Sequence, residues 1–428
     1  MVAYLLSFLD RQILVLMIEP IQRDLDISDT QFSLLHGTSF AFFYAFAGLF
    51  MGKLVDNHSR VKIISVSIFL WSIATAVCGL SRTFYQLFFA RMFVGVGEAG
   101  LSPGTFSLLS DLFKPQNRAK AFSIYAMGIY FGSGMAYMFG GQLISVLEAM
   151  PPMTLPLIGP VYSWQVVLLA VGLPGVLLSI IIYRCIKEPA RGAQESIAQQ
   201  QQDAIDGTAT FGDFFKHYRK EWRAYAGHNL GFGLHMMFSY SFMAWLPVMF
   251  MRIHGWTTVE VGYSVGILIL VCGPAGAMCG GYVSEWLLRK GVSDSQLRIC
   301  SFGSFIYAGC GALAAGTGNA TIAFIASGAC FFFMGFPGGI NSCSLQTITP
   351  PRLRGQASAF YLLIGSVLGL ALGPLCVAML TDFVFGDKNQ IHHSLQIFSL
   401  VCLPLSALLL WRTKSYFRIP QEHDAVAG

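Results

Sequence analysis

The stretch Arg91-Met-Phe-Val-Gly-Val-Gly-Glu98-Ala-Gly-Leu-Ser-Pro103 decides how this chain is read. It lies inside an apolar run, 84–109, long enough to cross a bilayer. Arg91 and Glu98 are seven residues apart. On a helix that is about two turns, so both side chains share a face roughly 10 Å apart along the axis. A charge at the bilayer centre costs at least ~2.5 kcal/mol, so both are expected to face an interior cavity or a partner. Gly95, Gly97 and Gly100 remove bulk beside Glu98, and Pro103 leaves the carbonyl of Ala99 without its helical donor, which predicts a kink.

The rest of the chain has the same character. Hydrophobic residues make up 54% and charged residues only 11%, against about a quarter charged in soluble domains. This excludes a water-soluble globular protein. The net charge of +5 is carried in short loops with no basic stripe, so nucleic acid is not an expected partner. The ten cysteines are scattered without a C-x-x-C pair, so neither metal nor a disulfide framework is expected, and no cofactor. There is no HExxH or H-x4-D, and no enzyme is expected.

Apolar runs of spanning length fall near 2–20, 31–54, 62–81, 84–109, 119–147, 163–186, 224–251, 258–287, 295–316, 320–345, 355–384 and 393–412. The first begins almost at Met1, which suggests a trimmed N-terminus. The longest polar stretch, 187–223, separates the sixth run from the seventh, and its segment from Phe211 to Arg219 reads as a short amphipathic surface helix. Of the 27 Lys and Arg, placing both termini in the cytoplasm leaves only Arg23, Arg82, Arg252 and Lys388 outside, with Arg11 and Arg91 inside spans. That bias predicts cytoplasmic N- and C-termini. Gly52-x3-Asp56-x3-Arg60 recurs as Gly281-x3-Glu285-x3-Arg289, and Pro115-x2-Arg118 recurs as Pro351-x2-Arg354, offsets of 229 and 236 residues. The expected fold is all-α: twelve transmembrane helices in two pseudo-symmetric bundles, 1–186 and 224–414. A cytoplasmic linker, 187–223, joins them, and 415–428 forms a cytoplasmic tail.

Gly52-Lys-Leu-Val-Asp56-x3-Arg60-Val-Lys62 and Arg91-x3-Gly95-x-Gly97 resemble the loop and helix 4 motifs of the major facilitator superfamily. Within it, Leu9-Asp10-Arg11-Gln12, Gly95-Val-Gly97-Glu98-Ala99 and Ser110-Asp111-Leu-Phe113 resemble the Spinster-type lipid transporters. The Gly-x-Gly-Glu-Ala-Gly portion is also similar to helix 4 of organic anion symporters. The resemblance implies alternating access, a bacterial inner or plasma membrane location, and a proton-linked carrier of lysophospholipid or sphingosine 1-phosphate type, acting as an exporter. Transport of small organic anions is the alternative.

Asp10 and Glu98 fall midway along helices 1 and 4 and are the expected proton carriers, since intramembrane carboxyls default to function. Arg91 and Arg11 are the expected contacts for an anionic head group, released when the carboxyls take protons. His228, His235, Asn341 and Tyr361 are the polar candidates of the second half. The resemblance implies that Gly52, Asp56, Arg60, Asp111 and Arg118 form the cytoplasmic gate, and the unfavourable placement of the acids Asp56 and Asp111 at helix C-terminal ends supports it. The expected partners are an anionic lipid-like substrate, protons and membrane lipids, with the chain acting as a monomer.

Overall fold

The computed structural model describes residues 1–114, 117, 121–122, 124–125, 127–150, 153–155, 159–190, 211–350 and 353–417. The chain is helical almost throughout. The first helices are α1 (Val2–Leu16), α2 (Ile18–Leu25), α3 (Asp29–Ser33), α4 (Ser39–Asn57), α5 (Arg60–Cys78), α6 (Phe84–Glu98), α7 (Leu101–Leu112), α8 (Gly128–Glu148) and α9 (Ser163–Cys185). Between α8 and α9 a small antiparallel hairpin pairs Met153–Leu155 with Gly159–Val161. Beyond residue 210 follow α10 (Phe211–Lys220), α11 (Trp222–His254), α12 (Thr258–Arg289), α13 (Ser295–Gly316), α14 (Ala320–Gly335), α15 (Ile340–Ile348), α16 (Arg354–Gly365), α17 (Gly373–Met379) and α18 (Ile391–Thr413).

Among the described residues, eight helices are long and apolar enough to cross a membrane. The runs 2–20, 31–54, 84–109 and 119–147 are not among them. Three of these are broken helices, and the sequence supplies the breaks. Pro20 cannot donate to Leu16, and α1 gives way to α2 at Met17. Pro103 cannot donate to Ala99, and α6 gives way to α7 around Gly100. Between α3 and α4 the backbone widens into a π-turn, Leu34–Thr38. The fourth, α8, is entered by residues partly outside the described ones.

The chain packs as two compact units. The first comprises Met1–Gln202 with Ala244–Leu270 and Ala378–Lys388. Here α5 packs against both α6 and α9, α4 against α6, and α1 against α8. The buried side chains include Trp71, Trp164 and Trp245. The end of α11 is tied into this unit by Arg252, which forms a two-bond fork on Asp29 (2.7 and 2.9 Å) and donates from Nε to Glu19 at 2.7 Å. Asp29 is fully buried and also accepts from Gln22 at 2.7 Å. The backbone N–H of Thr30 donates to Asp382 at 2.7 Å. These bonds tie the segments around Arg252 and Asp382 to the first unit.

The second unit comprises Asp203–Met243, Val271–Val377 and Asn389–Gly428. In it α13 packs against α14 and α18. Its core includes Phe214, Tyr225, Phe232, Leu297, Tyr361 and Phe417.

Candidate functional site

Two glycines set the geometry of the charged cluster in the first unit. A Cβ on Gly95 would come within 2.5 Å of the Phe40 carbonyl, and one on Gly97 within 2.7 Å of the Trp71 amide. Only a residue without Cβ lets α6 approach α4 and α5 this closely. The approach brings Arg91 and Glu98 into the interior, each 1% exposed, beside Asp10 on α1, which is 2% exposed.

The four expected residues come together, but not all in pairs. Arg11 donates to Oε2 of Glu98 from Nε at 2.8 Å and also from Nη2. Ser7, one turn earlier on α1, donates to the same oxygen at 2.5 Å. Asp10 accepts a hydrogen bond from Thr75 of α5 at 3.1 Å. Arg91 stands apart. Its Nε and Nη2 have no hydrogen-bond partner among the described residues, and the same holds for Oε1 of Glu98. Phe40 lies between the two cations, its ring centroid 4.3 Å from the Arg11 guanidinium and 5.4 Å from that of Arg91. Ring faces in a dry site stabilise such cations by about 2 kcal/mol or more.

A line of aromatic rings runs from this cluster along α1. Phe8 lies 5.0 Å beneath Arg11, Tyr4 packs edge-on against Phe8, and Tyr125 stacks on Tyr4 at 4.4 Å. Tyr4, Phe8 and Arg11 share a helix face at four- and three-residue spacing. Tyr125 also lines a mostly apolar cavity of about 410 Å³, with Met1, Thr105, Leu109, Phe113 and Ile124. A polar cluster and an apolar chamber are thus joined by one aromatic strip.

In the second unit His228 and Tyr361 meet, with ring centroids 5.4 Å apart. Both ring nitrogens of His228 are engaged, Nδ1 with Asn229 at 3.1 Å and Nε2 with the Asn341 carbonyl and Ser344, each at 3.0 Å. Asn341 donates to the Tyr361 hydroxyl at 2.9 Å. His235 is separate, its Nδ1 3.1 Å from Ser304.

The expected gate residues are placed in part. Arg60 is 1% exposed at the first position of α5 and forms an ion pair with Asp111 near the end of α7. It also reaches Glu188 from Nε at 2.7 Å and the Pro189 carbonyl at 2.8 Å. Glu188 accepts from Ser59 at 2.6 Å and from the Val61 amide at 2.9 Å as well, so it caps the N-terminus of α5. Burial alone would push the Glu188 carboxyl up; the bonds from Ser59, Val61 and Arg60 outweigh it and hold it at about 2. Gly52 has open space around it. Arg118 and the side chain of Asp56 lie outside the described residues. Sequence reading missed Glu188; its signal was a lone acid among cations just past the sixth apolar run. Among the described residues no group of three or more His, Cys, Asp or Glu is placed to hold a metal ion.

The Major Facilitator Superfamily model matches residues 1–374, and the chain belongs to that family. It is a multi-pass membrane transporter and not an enzyme. An efflux pump of Mycolicibacterium smegmatis is 22% identical, covering 96% of this chain and 90% of that protein. Protein spinster of Drosophila melanogaster is 24% identical over 90% of this chain and 61% of its own length. The hexuronate transporter of Bacillus subtilis is 23% identical, covering 89% and 86%. In fold, the chain is similar to the crystal structure of a bacterial homolog of the human lysosomal transporter Spinster, with a TM-score of 0.82 over 98% of this chain and 97% of that one.

Proposed function

We propose that this transporter couples proton movement to export of an amphipathic anionic lipid, with Arg91 as the head-group anchor. The observation that carries the reading is the state of Arg91: a buried cation whose Nε and Nη2 have no hydrogen-bond partner among the described residues. A buried donor left unpaired costs about 1–3 kcal/mol, more when charged. A phosphate or carboxylate, which takes an arginine fork bidentately, removes that cost.

Glu98 and Arg11 then form the switch. With Glu98 ionised, Arg11 is held on its Oε2. With Glu98 protonated, the charge attraction is gone and Arg11 turns toward the anion bound at Arg91. Asp10, bonded to Thr75, is the second proton carrier. The aromatic strip and the 410 Å³ apolar cavity give the acyl chain a place on the same face of α1 as the head-group cations. In this reading the chain makes twelve spans, in halves 1–186 and 224–414 with a linker 187–223. Both termini are cytoplasmic, Arg60, Asp111 and Glu188 brace the inner end, and the Arg252–Asp29 fork braces the opposite one. The protein works as a monomer.

A second reading, transport of small organic anions, is favoured by the likeness to the hexuronate transporter. Uptake into proteoliposomes of lysophospholipid, sphingosine phosphate and hexuronate, with and without a pH gradient, separates the two. The lipid reading requires gradient-stimulated movement of a lysolipid. It fails if only the sugar acid moves.

A further inference from the structure

The short helix α10 is bolted to the second unit on one side and carries three cations on the other. Its anchor is Phe214, which is fully buried and packs against Tyr225 at 6.0 Å and Phe360 at 5.7 Å. Tyr218 stacks on Tyr225 at 5.0 Å, and Nε2 of His217 lies 3.3 Å from the Ile348 carbonyl. These contacts fix the height and rotation of α10 at the N-terminal end of the spanning helix α11. The remaining face presents Phe215, Lys216, Arg219 and Lys220, and the first turn of α11 adds Trp222 and Arg223, all exposed. Phe215 is 50% exposed and Trp222 55%, and the Arg223 guanidinium sits 5.7 Å from the Trp222 ring centroid.

We propose that this face binds the anionic head groups of the membrane leaflet at the N-terminal end of α11. The chemistry fits a lipid surface. Exposed aromatic rings prefer the head-group level of a bilayer, and long cationic side chains reach phosphates from there. None of the four cations forms an ion pair among the described residues. Of the two acids in the segment, both half-buried, Glu221 lies off that face and Asp213 borders it, one turn before Lys216, so the face keeps an excess of cations. Each basic residue near an anionic surface strengthens its attraction roughly five-fold, and the attraction fades within a Debye length. Because α10 is anchored to α16 and α15 through Phe360 and Ile348, lipid charge also bears on the ends of those helices.

The test uses the full chain in nanodiscs of phosphatidylcholine, with or without phosphatidylglycerol, and compares the wild type with Lys216→Gln/Arg219→Gln/Lys220→Gln/Arg223→Gln. Retention of phosphatidylglycerol by the purified protein and the thermal midpoint are read. In the wild type phosphatidylglycerol is retained preferentially and raises the midpoint, and salt weakens both effects. In the quadruple variant preferential retention falls by ten-fold or more and the midpoint no longer responds to phosphatidylglycerol. The control Arg289→Gln/Lys290→Gln removes two other exposed cations and keeps the wild-type response. Equal retention in wild type and quadruple variant would overturn the proposal. So would a loss of stability by the quadruple variant as large in neutral lipid as in anionic lipid, because the face would then serve a contact within the chain.

Discussion

Arg11 of α1 and Glu98 of α6 are joined through a single carboxylate oxygen, while Oε1 of the same group has no partner among the described residues. An arginine fork that engages both oxygens is the stronger arrangement. The one-oxygen arrangement leaves half of the carboxylate available for a proton without first breaking the pair. Arg91, seven residues earlier on the same helix, has no hydrogen bond at Nε or Nη2 among the described residues.

Arg91 is therefore the residue whose loss should be felt first in binding. Charged hydrogen bonds contribute about 1.5–3 kcal/mol, so Arg91→Ala is expected to weaken lysophospholipid binding by roughly ten- to a hundred-fold. Arg91→Lys keeps the charge but loses the fork, and is expected to restore only part of it. Equilibrium binding to the detergent-purified protein measures both. Unchanged affinity in Arg91→Ala would remove Arg91 from the head-group site.

The Arg252–Asp29 fork makes a stability prediction. Removing one partner of a buried pair costs about 3–5 kcal/mol, because the other charge stays buried. Arg252→Ala should lower the melting temperature clearly. Arg252→Ala/Asp29→Asn should recover part of the loss, since the stranded carboxylate is gone. A double variant as unstable as the sum of the singles would mean that the two residues do not act as a pair.

Glu188 makes a pH prediction. Its carboxyl is held at about 2 in the folded protein, against an ordinary value of 4.5. A depressed carboxyl stabilises the fold above its ordinary value, and that contribution is lost as pH falls toward the folded one. Glu188→Gln should therefore melt below the wild type at neutral pH. The gap should narrow from pH 4.5 downward and close near pH 2. Melting curves of both proteins across that window check it; a gap independent of pH would show that Glu188 acts through shape and not charge.

Much of this was legible in the residues. Hydropathy alone gave the membrane class, and Pro103 marked the break between α6 and α7; the break at Met17, for which Pro20 carries the same signal, was not foreseen. The motif around Gly95, Gly97 and Glu98 pointed to the family and to the interior position of the charges. Partnership was legible only in part. The four charges were expected to hold one another, but not that Arg11 would take Glu98 and leave Arg91 apart, and the fork of Arg252 on Asp29, 223 residues away, went unread. Periodicity places a residue on a face but does not say which distant helix lies opposite it. Ser7, Thr75 and Phe40 escaped notice for the same reason: an ordinary serine, threonine or phenylalanine in an apolar run carries no sign that a charge sits beside it. Glu188 sat at the edge of a polar linker, where an acid reads as solvated.

The central claim is that Glu98 carries the proton that drives transport. The most direct measurement is lysophospholipid transport in proteoliposomes by Glu98→Gln, run in two modes: driven by a pH gradient, and as exchange of labelled for unlabelled substrate with no gradient. The account predicts that gradient-driven transport is lost while exchange persists, because a neutral side chain at position 98 still permits the conformational cycle but no longer moves a proton. Gradient-driven transport at the wild-type rate in Glu98→Gln would contradict it.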